Sequence, residues 1–349
     1  MDKEKIRKID LKPFNPNWKN KFELESQKIK IILKDNLIGI HHIGSTAING
    51  IYAKDVIDIL PIVRDISKMD ALNSYFENLG YVCLGEFGIK NRRFFYKDIN
   101  GKRSFHIHLF EEGSKEIIRH IKFRDFLSQN SDYALSYSEI KKQLAKEFPN
   151  DIEAYLDAKD PFIRLIDYKN NTAKDDQLNA KDDIFLTVFN PNWKKWAKAE
   201  INAIKVIAAN NDLFIDQIKH LGSTSIENIK AKPVLDIFIL LKQHDQLNKW
   251  IKILESFGYV FWYENPDKTH HRFFKGMPPF GEKRTHHIHI LENEEDFKCR
   301  VLFRDKLIKN KKLLKEYEDL KIELSDKYQN DREKYTDLKT EFIKLVLNL

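Results

Sequence analysis

The sequence predicts an α+β fold built twice in tandem, each copy a small mixed β-sheet with flanking helices and a C-terminal helical cluster. Three observations predict it. An ordered set of motifs in the first half returns in the second. Within each half, short apolar strands alternate with segments of helical period. The last part of each half then carries helical periodicity alone.

The repeat is read directly. His42-Ile43-Gly44-Ser45-Thr46 and Lys54-Asp55-Val56-Ile57-Asp58-Ile59 return as His220-Leu221-Gly222-Ser223-Thr224 and Lys232-Pro233-Val234-Leu235-Asp236-Ile237. Arg93-Phe94-Phe95 matches Arg272-Phe273-Phe274, and His106-Ile107-His108 matches His287-Ile288-His289. Phe123-Arg124-Asp125 matches Phe303-Arg304-Asp305, and Tyr155 and Lys159 answer Tyr335 and Lys339. Solenoid repeats run ~20–50 residues, so a period this long marks a duplicated domain. Domains are expected over 1–168 and 184–349. The Lys/Asn/Asp-rich stretch 169–183 between them reads as an exposed linker.

Each copy opens with Asn-Pro-Asn-Trp. Asn15 or Asn190 can cap a helix while the proline takes its first turn, where no backbone donor is needed. Trp18, Phe22, Ile29 and Leu33, like Trp193, Trp196, Ile204 and Ile207, recur at helical spacing and are expected in the core. A short strand then ends at the Gly-Ser turn, followed by apolar strands over Val56–Val63 and Val234–Leu241. Helices over Met69–Leu79 and Gln246–Phe257 come next. Two strands follow, carrying Arg-Phe-Phe and His-x-His. In the first copy, helices are expected over Ile117–Gln129, Ser131–Glu147 and Asp151–Ile166.

Composition narrows the class. A charged fraction of 32% and an apolar fraction of 42% suit a soluble globular protein. No apolar run approaches the ~20 residues that span a bilayer, so no membrane role is expected. Met1-Asp2-Lys3-Glu4-Lys5 lacks the apolar core of a secretory signal. Cys83 and Cys299 are not equivalent in the repeat, which argues against a shared disulfide and for a reducing, cytoplasmic setting. The net charge of +7 favours anionic partners without choosing among phosphorylated small molecules, nucleic acid and acidic proteins. Lysine runs such as Lys141-Lys142 read as solvated helix faces. Aromatics interleaved with basic residues at a regular period, the mark of single-strand binding, are not evident, so nucleic acid stays unsupported.

Four groups can carry chemistry. Gly44 and Gly222 let the backbone approach a ligand, and the hydroxyls of Ser45, Thr46, Ser223 and Thr224 can converge with turn amides on phosphate oxygens. Asp58 and Asp236 sit among apolar residues, where a carboxylate needs a metal, backbone donors or a basic partner such as Lys54 or Lys232. Asp55 turns to the other strand face and its counterpart is Pro233. His106 with His108, and His287 with His289, each point to one side of a strand. With Asp58 or Asp236 they make a three-ligand set for Zn²⁺, Mn²⁺ or Fe²⁺, or protonated they bind phosphate. Arg93 and Arg272, with Arg103 and Arg284, offer guanidiniums for phosphate. Arg124-Asp125 and Arg304-Asp305 suit a buried salt bridge that ties helix to sheet.

With these motifs assembled in order in both halves, the chain resembles the GrpB family over nearly its whole length outside the linker. That resemblance implies the nucleotidyltransferase superfamily of the DNA polymerase β type. It implies a nucleoside triphosphate ligand, a divalent metal (Mn²⁺, Mg²⁺ or Zn²⁺) and nucleotidyl transfer to an acceptor. Asp58 and Asp236 would then be catalytic. Gly44, Ser45, Thr46, Lys54 and Arg93, with Gly222, Ser223, Thr224, Lys232 and Arg272, would hold phosphate. One departure stands out. Active relatives carry two carboxylates two positions apart, whereas here the neighbours of the aspartate are Val56 and Leu60, or Val234 and Phe238. Histidine ligation in place of the second carboxylate implies a preference for Mn²⁺ or Zn²⁺. A non-catalytic sensor of a nucleotide or phosphorylated metabolite and a metal-dependent phosphohydrolase are the alternatives.

Overall fold

The computed structural model describes residues 8–241 and 246–348, so Met1–Lys5, on which the reading of the N-terminus rested, lie outside it. The chain divides into two compact units, Met1–Lys142 with Lys169–Thr172, and Gln143–Tyr168 with Ala173–Leu349. In the first, the elements run β1 (Leu11–Lys12), α1 (Asn17–Leu33), β2 (Leu37–Ile43), β3 (Ala53–Lys54), β4 (Ile57–Val63), α2 (Asn73–Asn78), β5 (Tyr81–Cys83), β6 (Arg92–Ile99), β7 (Lys102–Glu111) and α3 (Lys115–Gln129). Then α4 (Ser131–Glu147) passes the unit boundary. The second unit holds α5 (Ile152–Lys169) up to Tyr168, then α6 (Asp175–Leu178), α7 (Asn192–Asn210), β8 (Gln217–Leu221), β9 (Leu235–Leu240), α8 (Leu247–Ser256), β10 (Val260–Phe261) and β11 (His270–Lys275). It ends with β12 (His286–Leu291), α9 (Glu294–Lys309), α10 (Lys311–Lys327) and α11 (Arg332–Asn348). Among the described residues no helix is long and apolar enough to cross a membrane.

The two main sheets share one topology. Strand order is β2-β4-β7-β6-β5 in the first unit and β8-β9-β12-β11-β10 in the second. Each is mixed as expected, with β4–β7 and β9–β12 parallel and the remaining neighbours antiparallel. The period of two then sorts the side chains. Ile57 and Ile59 of β4, with Phe105, Ile107 and Leu109 of β7, enter the core under α1 and α2 beside Trp18, Ile29, Leu33 and Phe76. Asp58, His106 and His108 take the other face, where Ile43, Leu60, Phe110 and Ile117 pack.

The helix starts behave as the sequence implies. Asn15 Oδ1 accepts from the Asn17 amide, and Asn190 Oδ1 from the Asn192 amide, each at 2.9 Å. Two expectations change. The helix expected over Met69–Leu79 breaks into single 3₁₀ turns at Ile66–Lys68 and Asp70–Leu72 before the short α2. The stretch 169–183 is not exposed throughout: Gln177 is buried and donates to the Arg164 and Pro279 carbonyls, and Asp182 is held by Arg284 and Arg332. The core also holds two carboxylates that the sequence reading did not single out. Glu25 is buried on α1 and takes Lys97 at 2.7 Å and the Tyr81 hydroxyl at 3.1 Å, and Glu200 takes Lys275 and Tyr259 in the same way. A carboxylate on a core face survives there because a cation and a phenol replace its water.

Candidate metal centre

The parallel register builds the site. Asp58 lies level with His106 across β4–β7, and Asp236 with His287 across β9–β12. His108 and His289 follow two residues on, on the same face. In the first unit His106 Nδ1 is 3.0 Å from Asp58 Oδ1 and His108 Nε2 is 3.6 Å from it. In the second the distances are 3.1 Å for His287 and 3.6 Å for His289. Each triad offers ligand atoms all within 4.8 Å of one another. The side chains are 13–28% exposed, so the groups are sheltered and reachable.

The Gly-Ser turn closes against the aspartate. A Cβ on Gly44 would lie 2.2 Å from Asp58 Oδ2, and one on Gly222 2.3 Å from Asp236 Oδ2. The threonines do not face outward as expected. Thr46 and Thr224 are buried, and their hydroxyls donate to the Val56 and Val234 carbonyls at 3.3 and 2.8 Å. Each hydroxyl proton is thereby committed, so His42 Nε2 and His220 Nε2, at 3.0 and 2.9 Å, donate to Thr46 and Thr224. Threonine and histidine pin the turn from beneath, leaving Ser45 and Ser223 as the less buried hydroxyls.

Sequence reasoning missed the lysine that reaches this turn in the first unit and its counterpart in the second. Lys141, read as solvated, is 2% exposed; its Nζ donates to Ser45 Oγ at 2.9 Å and to the Tyr52 carbonyl at 2.6 Å. Lys321 is 1% exposed and donates to the Lys230 carbonyl at 2.5 Å. A tyrosine four residues earlier accompanies each, with Lys141 Nζ 4.5 Å over Tyr137 and Lys321 Nζ 4.8 Å over Tyr317. That recurring Tyr-x-x-x-Lys in the two C-terminal helical runs was the available signal. Lys54 and Lys232 are half-buried.

The arginines separate. Arg93 pairs opposite Leu109, which sets it on the face away from the histidines, where it grips Asp70 with two hydrogen bonds of 2.6 and 2.8 Å. It therefore does not serve a phosphate at the site. Arg272 pairs opposite His289, on the site face, and its Nε is buried with no hydrogen-bond partner. By register, Arg272 answers Phe94, which pairs with His108; the two Arg-Phe-Phe tripeptides are offset by one residue. Arg124 and Arg304 pair with half-exposed Asp125 and Asp305, so the bridge is not buried. What ties α3 and α9 to the sheet is the guanidinium, which donates to the His42 and His220 carbonyls at 2.9 and 3.3 Å.

The two triads differ in proton placement. Arg103 Nη1 donates to His106 Nε2 at 3.2 Å, so the His106 proton sits on Nδ1 and points at Asp58. His106 is thus satisfied as a hydrogen-bond donor. His287 Nε2 is buried without a partner, and Arg284 instead takes Asp182. His289 Nδ1 lies 2.8 Å from His270 Nε2, a neighbour of the kind that orients a ligating imidazole. Burial, opposed by the Asp236 hydrogen bond and charge, puts His287 at about 4, and likewise holds His289 below its ordinary value. Burial alone would raise the Asp236 carboxyl, but the hydrogen bonds from His287 and His289 hold it well below the carboxylate range. At neutral pH the second triad is one carboxylate with two neutral imidazoles, a donor set that fits Mn²⁺ or Zn²⁺. The first triad fits once Arg103 releases His106.

These rings also make the units unequal in acid. Burial pushes His42 to about 4 and His120 to about 3 in the first unit. In the second it pushes His220 and His287 to about 4, His286 to about 3 and His270 to about 2. Such a ring is protonated first in the unfolded chain, so its stabilisation is complete above about 6.5 and falls away as pH drops towards the folded value. Hydrogen exchange followed by mass spectrometry should show peptides of the second unit losing protection first between pH 6.5 and 4. Simultaneous loss in both units would count against this burial pattern.

Fold and triads together define a duplicated α+β protein with one Asp-His-His cluster per unit. The GrpB protein family matches residues 8–169 and again residues 183–348, and the chain belongs to that family. It is 36% identical over 178 residues to the UPF0157 protein YqkA of Bacillus subtilis, an alignment covering 51% of this chain and 52% of that one. The chain thus spans about half the length of this relative. It is 34% identical over 151 residues to the Glutamate-rich protein GrpB of Alkalihalophilus pseudofirmus, covering 42% of this chain and 87% of the relative. The crystal structure of the conserved protein GrpB from Enterococcus faecalis aligns at 40% identity with a TM-score of 0.45, covering 46% of this chain and 96% of that one.

Proposed function

We propose that the protein binds a nucleoside triphosphate beside a divalent metal and transfers its nucleotidyl group to an acceptor. The convergence of Asp236, His287 and His289 within 4.8 Å, next to the Gly222-Ser223 turn, carries this reading. The metal, when bound, supplies charge neutralisation and polarises the phosphoryl group. Asp236, His287 and His289 would hold it in the second unit, and Asp58, His106 and His108 in the first. The Ser45 and Ser223 hydroxyls and the turn amides would orient phosphate oxygens, with Lys54, Lys232 and Arg272 supplying positive charge. In the transfer, an acceptor hydroxyl oxygen bonds to the α-phosphorus and gives up its proton to solvent, while the bond to the bridging oxygen breaks and pyrophosphate leaves.

A second reading, a sensor that binds without turnover, is favoured by the lone carboxylate. Val234 and Phe238 stand where a same-face partner for Asp236 would be, and Val56 and Leu60 do so for Asp58. The test is incubation of the full chain with each labelled nucleoside triphosphate and Mn²⁺. Release of pyrophosphate with a modified acceptor is the expected result. Saturable binding without product would establish the sensor, and orthophosphate release without a modified acceptor would establish a hydrolase.

A further inference from the structure

The second unit gathers more positive charge near Asp236 than its carboxylates match. Lys232, which precedes β9, and Lys339 of α11 each hold Nζ 4.8 Å from the centroid of the same buried Tyr335 ring. Among the described residues, neither has a carboxylate within ion-pair distance. Lys321 comes in from α10, buried over Tyr317 and anchored on the Lys230 carbonyl. Arg284, before β12, and Arg332 of α11 share a single carboxylate, Asp182, at 2.7 and 2.8 Å. Arg332 Nε and Nη1 are buried with no hydrogen-bond partner.

A purely structural set of cations would be expected to pair each with an acid, since an unmatched buried charge is destabilising. Here two arginines divide one acid and two lysines lean on one phenol. The crowding is felt: burial first, then Lys339 and Arg332, hold Lys232 well below the ordinary lysine value. Burial and then Lys339 bring Lys321 to about 7. An anion with several oxygens would relieve the repulsion and supply the acceptors that Arg332 lacks. The first half is not equipped alike, because Ile152, three residues before Tyr155, occupies the place of Arg332, three before Tyr335.

We propose that Lys232, Arg284, Lys321, Arg332 and Lys339 form a polyphosphate subsite that takes a chain of two or three phosphoryl groups. It deepens the nucleotide reading, on which it rests only for the identity of the attached nucleoside. The subsite makes the second unit the one that grips the pyrophosphoryl end of the ligand.

Calorimetric titration of the full chain with inorganic tripolyphosphate, in excess chelator, tests it. The expected result is saturable binding at least about tenfold tighter than that of orthophosphate, weakening steeply with salt. Lys339→Gln combined with Arg332→Gln should lower affinity by at least about tenfold, each charge-assisted contact being among the stronger kinds. Lys312→Gln, at an 88% exposed side chain on α10, should leave it unchanged. Lys339→Gln alone, checked by its melting curve, keeps the test valid if Arg332→Gln disturbs folding through Asp182. Tripolyphosphate binding no tighter than orthophosphate, or binding indifferent to Lys339→Gln in a folded protein, overturns the proposal. With chelator present, failure here leaves the metal reading standing, and failure of the metal reading leaves this one.

Discussion

Alanine at Gly222 should disable the second site and lower the melting temperature of its unit. The added Cβ would fall 2.3 Å from Asp236 Oδ2, closer than real Cβ atoms approach, and a tight 3.0 Å from its Cβ and Cγ. Backbone freedom gives no relief. Gly222 has φ 73° and ψ −177°, and Gly44 φ 71° and ψ −174°, a region where side chains are strained by about 1–3 kcal/mol. Asp236 cannot swing away without leaving His287 and His289. Strain and displacement together suggest about 3 kcal/mol, or a fall of roughly 6–12 °C for a unit of this size. Gly44→Ala should act likewise on Asp58, where the contact is 2.2 Å. Scanning calorimetry and metal titration of each variant check this. An alanine variant that melts and binds like the parent would mean that turn and aspartate are not in contact.

Asparagine at Asp236 should empty the second triad of metal while the fold persists. Asn keeps the shape and one carbonyl oxygen, so the His287 Nδ1–H can still donate where Asp236 Oδ1 stands at 3.1 Å. The negative charge and the anionic ligand vanish. Metal affinity at the second triad should drop by at least about 100-fold, given that even outer partners of a ligand are worth 10–100-fold. The melting temperature at pH 7 should fall, because the stabilisation that a carboxyl held well below its unfolded value gives at that pH goes with the charge. The acid response has a defined sign. A carboxyl held below its unfolded value stabilises above about 3.8 and loses that stabilisation as pH falls, so the variant should lack this loss. Equal metal binding by Asp236→Asn and parent, alongside a large drop in melting temperature, would make the triad a core hydrogen-bond cluster.

What the sequence disclosed and what it hid follow from the periods of strand and helix. His-x-His and the lone aspartate were legible because alternate strand residues share a face, and polar residues on an apolar strand stand out. That they meet depended on the parallel pairing of β4 with β7 and β9 with β12, which no local pattern encodes. Lys141 and Lys321 were hidden because a lysine on an amphipathic helix looks like surface. Only the fold shows that α4 and α10 turn those positions inward. Glu25 and Glu200 were hidden for the same reason, their cations arriving from β6 and β11. Arg93 looks equivalent to Arg272 in the sequence because each precedes Phe-Phe. The ladder does not honour that match.

The offset between the two tripeptides has its own consequence for engineering. Grafting Asn91–Phe95 onto residues 270–274 by aligning letters would leave Arg272 above Trp262 and would carry the Arg92 guanidinium from the face of Phe110 to the opposite face, in the place of His271. Chimeras between the halves must therefore be cut by hydrogen-bond partner, with Phe94 exchanged for Arg272 and Arg93 for His271. The inherited hairpin has drifted by half a pleat, and each copy has found a different use for the same three letters.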